Sequence, residues 1–263
     1  MNTLTLAISS SGFTFLCTAM GAAFVFALGK AKRKLFTQLS LGFSAGIMIA
    51  ASVFGLLIPS IDDARNSGAG VIPPVMGFAL GVLFLIVVDR LTPHMHLMAK
   101  SPEGIHSKIG KQGLLFIAIT IHNIPEGMAL GVVAAAAAAA GDAQGAGALI
   151  ALTLGIGIQN IPEGTAVSVP YYAEGRSKGA SFMLGTISGI VEPIGAVVVV
   201  LFESLVVSLM PWFLSFAAGA MLYVVVEELI PESHSLGNEE NDLATISVLS
   251  GFLLMMALEL TLS

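Results

Sequence analysis

Two short runs in this chain carry most of its candidate chemistry: His122-Asn-Ile-Pro-Glu-Gly127 and, further on, Gln159-Asn-Ile-Pro-Glu-Gly164. On a helix, residues three and four apart share a face. His122 and Asn123 therefore project beside Glu126, and Gln159 and Asn160 beside Glu163. Each run is a compact set of ligands. Pro125 and Pro162 donate no backbone hydrogen bond, so each frees the carbonyl four residues earlier and is expected to kink its helix. Gly127 and Gly164 leave room for close packing beside the carboxylates. Glu192, followed by Pro193, repeats the Pro–Glu pairing in reverse order and supplies a third carboxylate.

One imidazole, three side-chain amides and three carboxylates are an awkward group to bury, because the carboxylates repel one another and resist ionisation away from water. A cation resolves that conflict. Imidazole nitrogen with carboxylate and amide oxygens is a donor set of borderline softness. It suits Zn²⁺ and its first-row neighbours better than Na⁺ or K⁺. The single cysteine, Cys17, lies in an apolar stretch, so neither a disulfide framework nor a thiolate cluster is available.

The elements that must position these groups are transmembrane helices. The chain has 263 residues, 56% hydrophobic and 11% charged, with a mean hydropathy of +0.91. Soluble domains average roughly 25% charged residues. Apolar stretches long enough to cross a hydrocarbon core of about 30 Å run at about 4–29, 37–60, 70–89, 113–140, 146–172, 179–203, 212–231 and 243–262. They do not alternate in polarity as barrel strands do, which leaves helices as the way to satisfy the backbone. The N-terminus lacks the basic region of a cleavable signal peptide and reads as the start of the first helix. Loops are short, and a single transmembrane domain over 1–263 is the simplest reading. With the N-terminus outside, ten of the eleven basic residues fall on the cytoplasmic side, leaving Arg65 outside. That asymmetry obeys the positive-inside rule and depends on a count of eight spans, with both termini outside.

The doubled run occurs in consecutive spans that must point in opposite directions. A fainter echo, Phe43-Ser-Ala-Gly-Ile-Met48 against Phe216-Ala-Ala-Gly-Ala-Met221, links the second span with the seventh. Inverted repeats of this kind point to a transporter with its substrate site between the repeats. Asp62 and Asp63 close the second span on the outer side, where paired acids concentrate cations or simply solvate a loop. Glu227, Glu228, Glu232 and His234 lie toward the cytoplasmic end of the seventh span and read as an exit relay. His94, His96 and His106 sit in a cytoplasmic loop, either handling metal or merely solvated.

The doubled motif, Glu192-Pro193 and Glu227-Glu228-Leu-Ile-Pro-Glu232 together resemble the ZIP (Zrt/Irt-like protein) metal transporters, in their GufA-like branch. The resemblance extends over nearly the whole chain. It implies an all-α membrane protein, eight helices in a 3+2+3 bundle with inverted repeats, and a two-metal centre on the fourth and fifth spans. One site would use Met48, His122, Gln159 and Glu163; the other Asn123, Glu126, Asn160, Glu163 and Glu192. It further implies Zn²⁺ uptake toward the cytoplasm across the cell membrane, a homodimer, and divalent metal as substrate rather than as a required cofactor. No nucleic-acid partner is expected. Gln159 and Asn160 are neutral amides where many relatives carry His or an acid, and amides bind metal less tightly. The alternative reading is a membrane-embedded di-metal hydrolase, since a His/Glu two-metal centre activates water. The sequence lacks H-E-x-x-H and G-x-S-x-G, the motifs that would favour it.

Overall fold

The computed structural model describes residues 2–27, 33–93, 111–173, 175–234 and 238–263. Among these residues the chain is helical and contains no strand. Eight helices are long and apolar enough to cross a membrane. They are α1 (Thr3–Ala27), α2 (Gln38–Asn66), α3 (Ile72–Leu91), α4 (Phe116–Ala140), α5 (Ala143–Ala173), α6 (Lys178–Leu201), α7 (Met210–Ser233) and α8 (Asn241–Leu262). Helix α2 runs on to Asn66, so Asp62 and Asp63 lie within its last turns rather than beyond its end.

Pro125 and Pro162 sit inside uninterrupted helices, α4 and α5. The hydrogen-bond ladder departs from α geometry elsewhere. Residues Ala51–Leu57 of α2 and Val225–Leu229 of α7 are π-helical, and Ser188–Ile190 of α6 form a 3₁₀ turn. Both π segments end at the same tripeptide, Leu57-Ile-Pro59 and Leu229-Ile-Pro231. A proline that cannot donate, met by a ladder that can widen by one residue, is accommodated as a π-bulge, a feature common at functional sites.

The most extensive packing joins α1 to α5, α4 to α6, α2 to α8 and α3 to α7. Exchanging α1 with α6, α2 with α7, α3 with α8 and α4 with α5 turns this set of pairs into itself, as an internal repeat requires. Each pair is closed by a glycine. A Cβ on Gly21 would lie 1.9 Å from the Ile161 carbonyl oxygen, on Gly46 1.9 Å from that of Val248, on Gly81 2.0 Å from that of Phe216 and on Gly127 2.3 Å from that of Glu192. Between lipid-solvated helices there is no water to expel, so van der Waals contact between backbones provides the adhesion, and small residues permit it.

Candidate metal centre

The two halves of the doubled motif meet where α4 crosses α5, roofed by α1 and α6. His122, Asn123, Glu126, Gln159, Asn160, Glu163 and Glu192 are all buried, none more than 5% exposed. Their positions follow from the close approaches around them. Gly127 sets α4 against the backbone of Glu192, and a Cβ on Gly164 would lie 2.0 Å from the Thr18 carbonyl oxygen, which sets α5 against α1.

The side chains are cross-linked, each half of the motif to the other or to a neighbouring helix. Gln159 Nε2 donates to Glu126 Oε1 across α4 and α5. The same amide lies 3.5 Å from Glu163 Oε1. Asn160 Nδ2 donates to Glu192 Oε2 at 2.8 Å and to the Thr14 carbonyl at 3.2 Å, while Thr18 Oγ1 donates to Glu192 Oε1 at 3.2 Å. Asn123 Nδ2 donates to the Ser188 carbonyl at 3.1 Å, anchoring the 3₁₀ turn of α6. Ser44 Oγ on α2 donates to the Gln159 carbonyl at 3.0 Å. Met48 is one turn further along α2 and wholly buried.

What remains after these bonds is a set of acceptors. Asn123 Oδ1, Glu126 Oε2, Gln159 Oε1, Asn160 Oδ1 and Glu163 Oε2 are buried and have no hydrogen-bond partner. Buried polar atoms are seldom left in this state, because each costs the loss of its hydration. Five oxygens from five motif residues, all able to accept, form surroundings suited to a cation. Among the described residues no three His, Cys, Asp or Glu side chains gather into a ready-made cage. The ligands are close but tied to one another by their own amides, so an ion would have to displace those bonds.

The seventh span reaches the same place. His122 Nε2 and Glu228 Oε1 are hydrogen-bonded, which puts Glu228 directly beside the doubled motif. His122, Glu163, Glu228 and Glu232 share a cavity of about 10 Å³, close to the space one water needs. Neighbouring Glu227 is exposed and Glu228 buried, so the two adjacent acids face different surroundings. His234 caps the end of α7, with Nδ1 2.9 Å from Ser233 Oγ and Nε2 3.1 Å from Thr245 Oγ1. Asp62 is exposed and pairs with Arg65 at 3.5 Å; Asp63 is exposed. His94, His96 and His106 lie outside the described residues.

Sequence reading missed two acids. Asp89, at the end of α3, is only 8% exposed, shares a side-chain hydrogen bond with Tyr223 and stands close enough to His122 to act on it electrostatically. Glu259, at the end of α8, is 4% exposed with Oε1 unpartnered, and that oxygen lies 2.6 Å from where a Cβ on Gly55 would be, against the π segment of α2. The exchange that maps α3 onto α8 and α7 onto α2 relates the two acids: each ends its helix, Glu259 against the π segment of α2 and Asp89 bonded to Tyr223, just before the π segment of α7. Their one sequence signal was an acid near the end of an apolar run, where solvation is the ordinary reading.

Comparison with known proteins identifies the family rather than the site. The family model described as ZIP Zinc transporter matches residues 98–259. The zinc transporter GufA of Myxococcus xanthus is 38% identical, covering 93% of this chain and 94% of its own. Zinc transporter ZIP11 of Homo sapiens is 33% identical over 97% of each chain. Zinc transporter ZIPB of Bordetella bronchiseptica is 37% identical over 94% of this chain and 78% of its own.

Proposed function

Because the chain belongs to the ZIP family and is a multi-pass membrane protein that transports divalent metal, zinc foremost, we propose that its ion travels through a two-metal centre on α4 and α5. A transporter, rather than a hydrolase, is what this membership makes it. Met48, His122, Gln159 and Glu163 form one site. Asn123, Glu126, Asn160, Glu163 and Glu192 form the other, with Glu126 and Glu163 near both. The observation that carries the reading is the set of five unpartnered oxygens, each on a motif residue.

Loading follows from the bonds already made. Rotating the Gln159 amide withdraws its N–H from Glu126 and turns its oxygen toward the ion, and the same exchange at Asn160 frees Glu192. His122 leaves Glu228 to present a lone pair, since only the unprotonated nitrogen binds metal. Glu228 and Glu232, lining the cavity beside His122, then receive the ion on its way to the cytoplasm. Asp62 and Asp63 raise the local cation concentration at the outer end.

The self-mapping helix pairs support a 3+2+3 grouping within one domain, with α4 and α5 at its centre. In the same proposal the protein sits in the cell membrane with both termini outside, works as a homodimer and needs no resident cofactor. The test is initial uptake in proteoliposomes with Zn²⁺, Cd²⁺, Mn²⁺, Fe²⁺ and Co²⁺ in competition, for the native chain and for Glu163→Ala. Zn²⁺ is expected to be carried and to be the strongest competitor. Loss of an outer partner of a metal ligand already costs 10–100-fold, so losing a ligand near both sites should lower uptake by more than about 100-fold. Near-normal uptake by a well-folded Glu163→Ala variant would overturn the site assignment.

A further inference from the structure

The outer ends of α2 and α3 enclose a cleft lined by none of the doubled-motif residues. The two helices are joined by the tight turn 67–71, in which Gly68 and Gly70 both adopt φ of +73°. Below that turn both helices lean on α7, α2 through the Ser60 hydroxyl bonded to the Pro211 carbonyl, and leave a gap between them. The space between them is an open cleft of about 540 Å³, walled by Leu57 and Ile61 on one side and by Pro74, Val75 and Phe78 on the other, with Arg65 at its mouth. From Arg65 down to Leu57 the helical rise gives a depth of roughly 12 Å. The walls are apolar along that depth. Such a shape suits an acyl chain lying parallel to the helices, with its polar end at the level of Arg65.

The mouth discriminates among polar ends. The Arg65 guanidinium is exposed, and its only described bond is to Asp62 Oδ1 at 3.5 Å. Most of the five N–H donors of an arginine are therefore available, in the planar fork that fits a phosphate with two parallel bonds. Asp62, bonded to it, offers carboxylate oxygens beside the cleft. The mouth thus pairs one cation with one anion. A purely anionic headgroup would gain Arg65 but meet Asp62. A headgroup with phosphate and ammonium together satisfies both signs, and a primary ammonium donates hydrogen bonds that a trimethylated one lacks. The acidic field that draws metal to this end also accepts that ammonium.

We propose that the cleft between α2 and α3 binds one phospholipid of the phosphatidylethanolamine type, its phosphate on Arg65, its ammonium on Asp62 and one acyl chain between Ile61 and Val75. The inference rests on the chain spanning a membrane, and not on the location of the metal centre. The test is native mass spectrometry of the detergent-purified full chain, titrated separately with phosphatidylethanolamine, phosphatidylcholine and phosphatidylglycerol of identical acyl chains. The expected result is a single phosphatidylethanolamine adduct retained at least about fivefold better than either other lipid. Arg65→Gln should reduce it to the phosphatidylcholine level. Val75→Trp, which fills the cleft from an exposed position, should weaken all three, and Asp62→Asn should shift the preference toward phosphatidylglycerol. Equal retention of phosphatidylethanolamine and phosphatidylcholine by the native chain would overturn the proposal. So would a phosphatidylethanolamine preference that survives in Arg65→Gln, because the headgroup would then be recognised elsewhere.

Discussion

Glu126 and Glu192 are each held by an amide from α5, Gln159 and Asn160, and in the proposed two-metal centre this sets the terms on which an ion would enter. An amide is a ligand that can turn, offering N–H to a carboxylate or oxygen to a metal, whereas an imidazole cannot stop being a donor atom once deprotonated. Gln159→His should therefore strengthen binding at the His122 site, with the dissociation constant falling by about tenfold, or ~1.4 kcal/mol. Uptake should slow as release becomes the harder step. A calorimetric Zn²⁺ titration paired with initial uptake rates reads both, and an unchanged affinity would mean that residue 159 does not face the ion. The grouping of the motif residues on α4 and α5 was legible in the sequence because helical spacing is local: positions i, i+3 and i+4 must share a face. The contact between His122 and Glu228 was not, since the spacing along one helix says nothing about which residue of another helix arrives opposite. Asp89 and Glu259 escaped for a related reason. An acid near a helix end looks solvated until the neighbouring helix that buries it is known.

At the level of helices, apolar length was enough to find eight spans, because the bilayer imposes one thickness on all of them. Local irregularity was harder. A proline in a sequence signals a missing donor at that position, but how the helix absorbs the loss depends on its surroundings. Pro125 and Pro162 are carried inside continuous helices, while the two π segments precede Pro59 and Pro231 and the 3₁₀ turn precedes Pro193. Glycine is the more dependable guide to packing, since its effect is steric and one-sided. Gly21→Ala would place a Cβ 1.9 Å from the Ile161 carbonyl oxygen and force α1 away from α5, whereas a Cβ on Gly12 of the same helix meets nothing within 4 Å. Overpacking typically costs 1–3 kcal/mol, and a backbone atom cannot swing aside as a side chain can. Gly21→Ala is expected to lower the unfolding temperature by several degrees or to abolish monodisperse protein. Gly12→Ala should match the native chain or exceed it slightly, through the better helix propensity of alanine. Thermal unfolding followed by size-exclusion chromatography compares the two, and equal stability would show that the α1–α5 pair is not closed by backbone contact at Gly21.

For the molecule as a whole, the strongest constraint is the placement of charge. With eight spans and the N-terminus outside, ten of eleven basic residues face the cytoplasm, and a single added or lost crossing would scatter them across both faces. Orientation matters to the mechanism because it decides which end of the path each acid serves. Asp62, Asp63 and Glu259 then lie toward the outside, and Asp89, Glu228 and Glu232 toward the cytoplasm. Uptake would run from the first group through the doubled motif to the second. The native Cys17 is only 3% exposed, so it gives little background to thiol labelling and single cysteines can report the side they occupy. Asn2→Cys, Asn66→Cys and Ser263→Cys, at exposed positions next to helix ends, should react in intact cells with a charged maleimide that does not cross membranes. Ala173→Cys, exposed at the far end of α5, should react only after the cells are opened. The reverse pattern would invert the proposed path and make the cavity beside Glu228 and Glu232 the entrance, so that the proposed direction of uptake would fail. A mixed pattern, with Asn2→Cys and Ser263→Cys on opposite sides, would contradict eight crossings and, with them, the pairing of α2 with α7 on which the internal repeat depends.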